Sequence, residues 1–244
     1  MTFSPRMLEI GRMRDSLRRV PRPYRFLGII LVLVISVVSF GMSPLSAMIV
    51  VVQSKPCNAE FVCIADVDCG QCYRVAAERS KQHAIQGILL CTNESQRIVL
   101  MGAIPAFEEL GRQKLVNDGV ASTAIEILPG ECRNDWDQGR RINRWLEENP
   151  NKRVCLLCDL FASRRWSLIL DHTLTATTRP RVTIEGVTDP RYNETTWWRR
   201  RMGIKSYFNS IVQLVYARCH GEDVIPVVDW SPEKYESAAL GSRQ

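Results

Sequence analysis

The chain has 244 residues, with 32 Lys and Arg against 26 Asp and Glu and a formal net charge of +6. Seven of those positive charges are arginines before residue 26, where Glu9 and Asp15 offset two, so the remainder is nearly neutral. The surplus therefore speaks for membrane topology and anionic lipid rather than for nucleic acid.

Residues 1–25 form a basic segment punctuated by Pro5, Pro21 and Pro23. Leu8 to Val20 reads either as a short amphipathic helix on the inner leaflet or as a disordered topogenic tail. Phe26 to Val52 carries no charge. A helix rises about 1.5 Å per residue, so roughly 20 apolar residues cross the hydrocarbon core. The stretch is read as one transmembrane anchor. Arginines precede it and only Lys55 follows closely, which keeps the N-terminus cytoplasmic and sends the rest outward. The expected location is the inner membrane, single-pass, with the C-terminal domain on the periplasmic side. A cleavable signal peptide is the rival reading, but Leu45 stands where a small residue is wanted at the cleavage site. Pro44 kinks or ends the helix and puts Met48 to Val52 in the outer interface.

About 190 residues remain, enough for one domain with a proper core. Residues 53–60 read as a linker, broken by Pro56. From there the pattern alternates. The spacing predicts strands over 61–66, 85–91, 123–128, 153–158 and 181–186. It predicts helices over 72–83, 105–117, 136–148, 163–174 and 196–219. Residues 224–228 read as an edge strand because of Pro226, and the α/β domain runs over 61–230 with a loose tail after it. Such alternation argues for parallel βαβ units in an α/β, Rossmann-like three-layer sandwich with a mostly parallel sheet. Ligands then bind outside the carboxyl ends of the strands. Those ends are 66–70, 91–94, 129–131 and 158–159, all polar or thiol-bearing.

In order along the chain come Arg74 with Ala76-Ala77, the strand 85–91, Glu108-Glu109, Gly119-Val120, the strand 123–128, the turn Arg133-Asn134-Asp135, and Cys158 to Arg165. This order of segments resembles the SanA, ElyC and YdcF-like family of bacterial envelope proteins. The resemblance covers about residues 60 to 220 and implies a link to cell-wall and surface polysaccharide precursors. Two departures stand out. Asp66-Val67-Asp68-Cys69 and Cys91-Thr92-Asn93 replace glycine-rich strand ends, and Ala162 takes the place expected for histidine.

The candidate ligand-binding residues are Asp66, Asp68, Arg74, Asn93, Asp159, Ser163, Arg164 and Arg165. Arg164 and Arg165 open a helix, and a helix N-terminus with guanidinium groups suits phosphate or pyrophosphate. The competing reading pairs them with Asp159, Glu108 or Glu109. Asp66, Asp68 and Asp159 read as loop acids and caps before metal ligands, so no metal site is assigned, and the cofactor is left unknown. Nine cysteines suit an oxidising compartment, and an odd count leaves one over. Cys69-Gly70-Gln71-Cys72 has a redox CxxC form between strand and helix, without thioredoxin-like order around it. Cys155 and Cys158 fall at opposite parity on one strand and so face opposite layers. The three histidines share no motif with a nucleophile. Trp197-Trp198-Arg199-Arg200-Arg201 has the composition of a membrane-interface anchor. From Tyr207 onward the apolar positions read as core.

Three functions follow as expectations. The first is a membrane-anchored envelope protein binding or processing a phosphate-bearing precursor. The second is a non-catalytic scaffold of a polysaccharide assembly complex. The third is a thiol-disulfide protein using Cys69 and Cys72. The expected partners are membrane lipid, a lipid-linked glycan phosphate and polysaccharide assembly proteins, with no nucleic acid. Whether any of this is catalysis the residues leave open.

Overall fold

Near-continuous apolar runs such as Phe61–Ile64 and Val154–Asp159 are what a sheet covered on both faces requires. The computed structural model describes residues 44–52, 57–65, 69–93 and 105–221. In it the runs form β1 (Phe61–Ile64), β2 (Gly87–Asn93), β3 (Ile125–Cys132), β4 (Val154–Asp159) and β5 (Val182–Val187). They make one sheet of order β3-β2-β1-β4-β5 with every pairing parallel. The expected α/β architecture with a Rossmann-like parallel sheet is therefore present. Residues 26–43 of the expected anchor and the strand at 224–228 lie outside the described residues, as does the helix at 8–20, whereas the end of the anchor, 44–52, is described. Among the described residues no helix is long and apolar enough to cross a membrane.

Side-chain alternation divides the sheet between two layers. Val62, Ile64, Ile88, Leu90, Cys155 and Leu157 meet helices α1 (Gly70–Lys81) and α2 (Phe107–Asn117) through Tyr73, Ala76 and Leu115. Cys63, Leu89, Leu156 and Cys158 meet α3 (Asp135–Glu148) and α4 (Ser163–Thr173) through Trp136, Ile142, Trp166 and Ile169. Cys155 and Cys158 thus face opposite layers, as their parity requires. Among the described residues, the helices fall on the two faces as right-handed crossovers require when they run first one way from β1 and then the other. Local signals set the helix ends. Asn134 caps α3 by accepting from the Asp137 backbone N–H at 2.9 Å, with Asp135 and Asp137 beside the positive end of the helix. Gly119, at φ +87°, turns the chain after α2.

The C-terminal helix differs from the reading of its sequence. Residues 196–219 are not one helix. Trp197–Arg199 is a 3-10 turn, Arg200 is extended at φ −128° and ψ 131°, and α5 runs from Arg201–His220. The break lets Trp197 turn inward, where it is fully buried with Phe161, Tyr192 and Tyr207. It is core, not an interface anchor. Trp198 stays half-buried with the Arg199 guanidinium 5.9 Å from its ring. Tyr207 is buried as expected, but Phe208 and Val215 are exposed.

The end of the predicted anchor, 44–52, departs from its reading: it is not continuous helix, and it joins the same cluster because Ala47 and Val50 find buried apolar partners there. Pro44–Ala47 makes one helical turn, and Ala47 and Val50 are buried against Phe161, Trp197 and Tyr207. Tyr207 Oη donates to the Ser46 carbonyl at 3.1 Å. Residues 48–52 are thus held by protein atoms, with Met48 and Ile49 exposed. Part of the 53–60 segment is also packed, since Ala59 is buried and the Glu60 carboxylate accepts from the Arg153 backbone N–H at 2.9 Å.

Candidate functional site

In a parallel sheet of this order the chain leaves β1 toward β2 on one side and returns to β4 on the other. The two crossovers diverge there and leave a crevice outside the carboxyl ends of β1 and β4. A cleft of about 300 Å³ lies at that place. Cys69 follows β1, Asp159 ends β4, and Arg165 stands on α4. Helix α5 supplies the facing wall with Lys205, Ser206, Asn209, Ser210 and Gln213. These positions recur at helical spacing on one face.

Asp159 is the most constrained group in the cleft. Its carboxylate accepts from the Phe161 backbone N–H at 3.0 Å and from Ser206 Oγ at 3.2 Å. Burial nevertheless pushes it above the ordinary aspartate range, and the charge of Asp189 adds to that. Asp159 thus keeps its proton to higher pH than a free aspartate. Tyr192, stacked on Phe161 at 5.9 Å, is likewise raised by burial. Lys205 makes no ion pair among the described residues and is exposed on the cleft wall.

The candidate residues read from sequence separate into three groups. Asp159 and Arg165 line the cleft. The Arg165 guanidinium is already engaged there by the Asp135 carboxylate, which is neither Asp159 nor the Glu108-Glu109 pair. Ser163, Arg164 and Arg74 are used elsewhere. Ser163 Oγ accepts from the Val52 backbone N–H at 2.9 Å and donates to the Leu160 carbonyl at 2.7 Å. Arg164 Nη2 donates to the carbonyls of Met48 and Val51 at 3.0 and 3.1 Å. Both residues fasten the 44–52 segment to the start of α4. Arg74 lies on the exposed face of α1, 3.7 Å from Glu78 one turn on. Asn93 ends β2 beside Cys132 of β3, one strand removed from the crevice. Asp66 and Asp68 lie outside the described residues.

Cysteine chemistry converges on the same crevice. Cys69 and Cys72 are disulfide-bonded across the first turn of α1. Cys69 lines the cleft, whereas Cys72 is fully buried. The remaining described cysteines are thiols. Cys91 and Cys132 meet through their thiols between β2 and β3, and that contact and burial raise Cys132 far above the usual thiol range. On the other layer the neighbouring Cys155 thiol lowers Cys57 to about 6.

Sequence reasoning missed the α5 wall. The signal was present as Lys205, Ser206, Asn209, Ser210 and Gln213 at one-turn spacing, opposite the apolar positions that drew attention. No protein-family model matches the sequence, and neither a curated protein nor a solved structure matches it.

Proposed function

We propose that this chain is a membrane-tethered envelope protein whose switch-point cleft binds a phosphate-bearing precursor of cell-wall or surface polysaccharide. The observation that carries the reading is the polar lining of that cleft by Asp159, Arg165, Lys205, Ser206, Asn209 and Gln213. Sugar hydroxyls suit the serine, asparagine and glutamine groups, and a phosphate suits Lys205 with Arg165. The tether is the part of the 26–52 anchor that precedes residue 44, with its arginine-rich flank. The fastened 44–52 segment would then hold the domain close to the lipid surface.

The test is thermal unfolding of the full chain in detergent against sugar phosphates, nucleotides and polyprenyl phosphates. A ligand at 100 times its dissociation constant stabilises the native state by about 2.7 kcal/mol. The expected result is a rise in melting temperature with a phosphorylated sugar that disappears in Lys205→Ala. No shift with any compound would discard the ligand site and leave the scaffold reading.

A second reading is favoured by one specific observation, the Cys69–Cys72 bridge on the rim of the same cleft. A partner thiolate would attack Cys69 Sγ, the sulfur that reaches the cleft, and release Cys72 as thiolate in the first turn of α1. The helix dipole there favours the anion. A second thiolate of the partner would then attack the mixed disulfide, leaving the partner oxidised and Cys69 and Cys72 reduced. Under this reading the bridge opens in native protein with dithiothreitol and recloses with oxidised glutathione. A bridge that stays closed until the chain is unfolded would remove it.

A further inference from the structure

A second constellation lies at the other end of β4 and belongs to neither reading of the cleft. Cys57 comes from the segment before β1, Cys155 from the start of β4 and Glu185 from β5. Their two sulfurs and a carboxylate oxygen all lie within 4.8 Å of one another. Sheet geometry makes this a built arrangement. Cys155 pairs with Thr183 and Leu157 with Glu185 in the β4–β5 register, so Cys155 and Glu185 project to the same face.

Arg79 of α1 orients the carboxylate. Its Nη2 donates to Glu185 Oε1 at 2.5 Å, which leaves Oε2 facing the Cys155 sulfur at 3.8 Å. Arg79 Nη1 also lies 3.9 Å from the Cys155 sulfur. We propose that Cys57, Cys155 and Glu185 form a zinc site, with Arg79 holding the ligating carboxylate from outside.

Three properties carry this. Ligands about 2.3 Å from a tetrahedral ion sit roughly 3.8 Å apart, so the three atoms need to close by about 1 Å at most. Two thiolates select a soft or borderline ion such as Zn²⁺ over Mg²⁺ or Ca²⁺. A divalent ion with two thiolates and one carboxylate leaves one negative charge, and the Arg79 guanidinium cancels it. Hydrogen bonding of a ligating carboxylate by an outer group is the usual support of such sites. Cys155 is fully buried, whereas Cys57 and Glu185 are half-buried. The ion therefore has an entry path and keeps its fourth position for water, as open zinc sites do.

The experiment uses the full chain in detergent, stripped of metal and reduced with a phosphine. Zn²⁺ alone is titrated against a chromophoric chelator, and Co²⁺ alone is followed by its thiolate charge-transfer band. Other thiols also take up zinc when reduced, so the reading is the difference from Cys57→Ser. That variant changes a half-exposed side chain outside every strand and helix. The expected result is one additional zinc per wild-type chain and a charge-transfer band that Cys57→Ser removes. Arg79→Gln keeps both thiolates and the carboxylate but removes its outer support, and is expected to bind zinc about 10- to 100-fold more weakly. Equal uptake and equal spectra in wild type and Cys57→Ser would overturn the site. So would recovery of a Cys57–Cys155 disulfide that persists in the reduced native chain.

Discussion

Replacing Trp197 by alanine is expected to destabilise the chain by about 3 kcal/mol, at the lower end of the range of about 3–5 kcal/mol for buried tryptophan. The ring is fully buried and stacks on Tyr207 at 3.8 Å, with Phe161 edge-on at 6.5 Å. Aromatic pairs add about 0.5–1.5 kcal/mol beyond the area they bury. One effect works the other way. The indole N–H is buried with no hydrogen-bond partner among the described residues, so its removal returns about 1 kcal/mol. Trp198, half-buried beside it, is the control and should cost less than about 1 kcal/mol on replacement. Denaturant unfolding of the full chain measures both. Equal costs would contradict the inward placement of Trp197. Because Ala47 and Val50 share this cluster, the Trp197 variant should also expose residues 44–52 to proteolysis.

Gly203→Ala is expected to cost about 3 kcal/mol, although alanine is ordinarily the better helix former by about 1 kcal/mol. A Cβ at this position would stand 2.4 Å from the Trp197 carbonyl oxygen and 2.8 Å from its Cα. Backbone atoms cannot rotate away as a side chain can, so the first turn of α5 must lift from the 3-10 turn. Overpacking of this kind costs about 1–3 kcal/mol, and more where backbone must move. Unfolding midpoints of wild type and variant decide the matter. A variant as stable as wild type would mean that α5 does not approach Trp197 this closely.

The parallel sheet was legible because its strands are buried on both faces and therefore read as short apolar runs between helical patterns. The boundaries held within a few residues wherever a local signal existed, such as Asn134 before α3 or Gly119 after α2. The break before α5 was not legible, because Trp197-Trp198-Arg199-Arg200-Arg201 carries no glycine or proline and only tertiary burial of Trp197 turns the chain. The site divides in the same way. Asp159 and Arg165 were found because the ends of strands in such a sheet are where ligands gather. Arg164 stands apart from the cleft for a reason no local pattern reveals: its partners are carbonyls of residues 48 and 51, far back in the chain. The zinc proposal is of the same kind, since Cys57, Cys155 and Glu185 are brought together only by the order β1-β4-β5.

If the cleft beside β4 holds the proposed ligand, α5, not Arg164, supplies its cationic contact. The most direct measurement is calorimetric binding of a phosphorylated sugar to the full chain, wild type, Lys205→Ala and Arg164→Ala in parallel. The account predicts a loss of at least tenfold in affinity for Lys205→Ala, about 1.4 kcal/mol, and wild-type affinity for Arg164→Ala. Loss of binding in Arg164→Ala with Lys205→Ala unaffected would contradict it and return the site to the segment that Arg164 fastens.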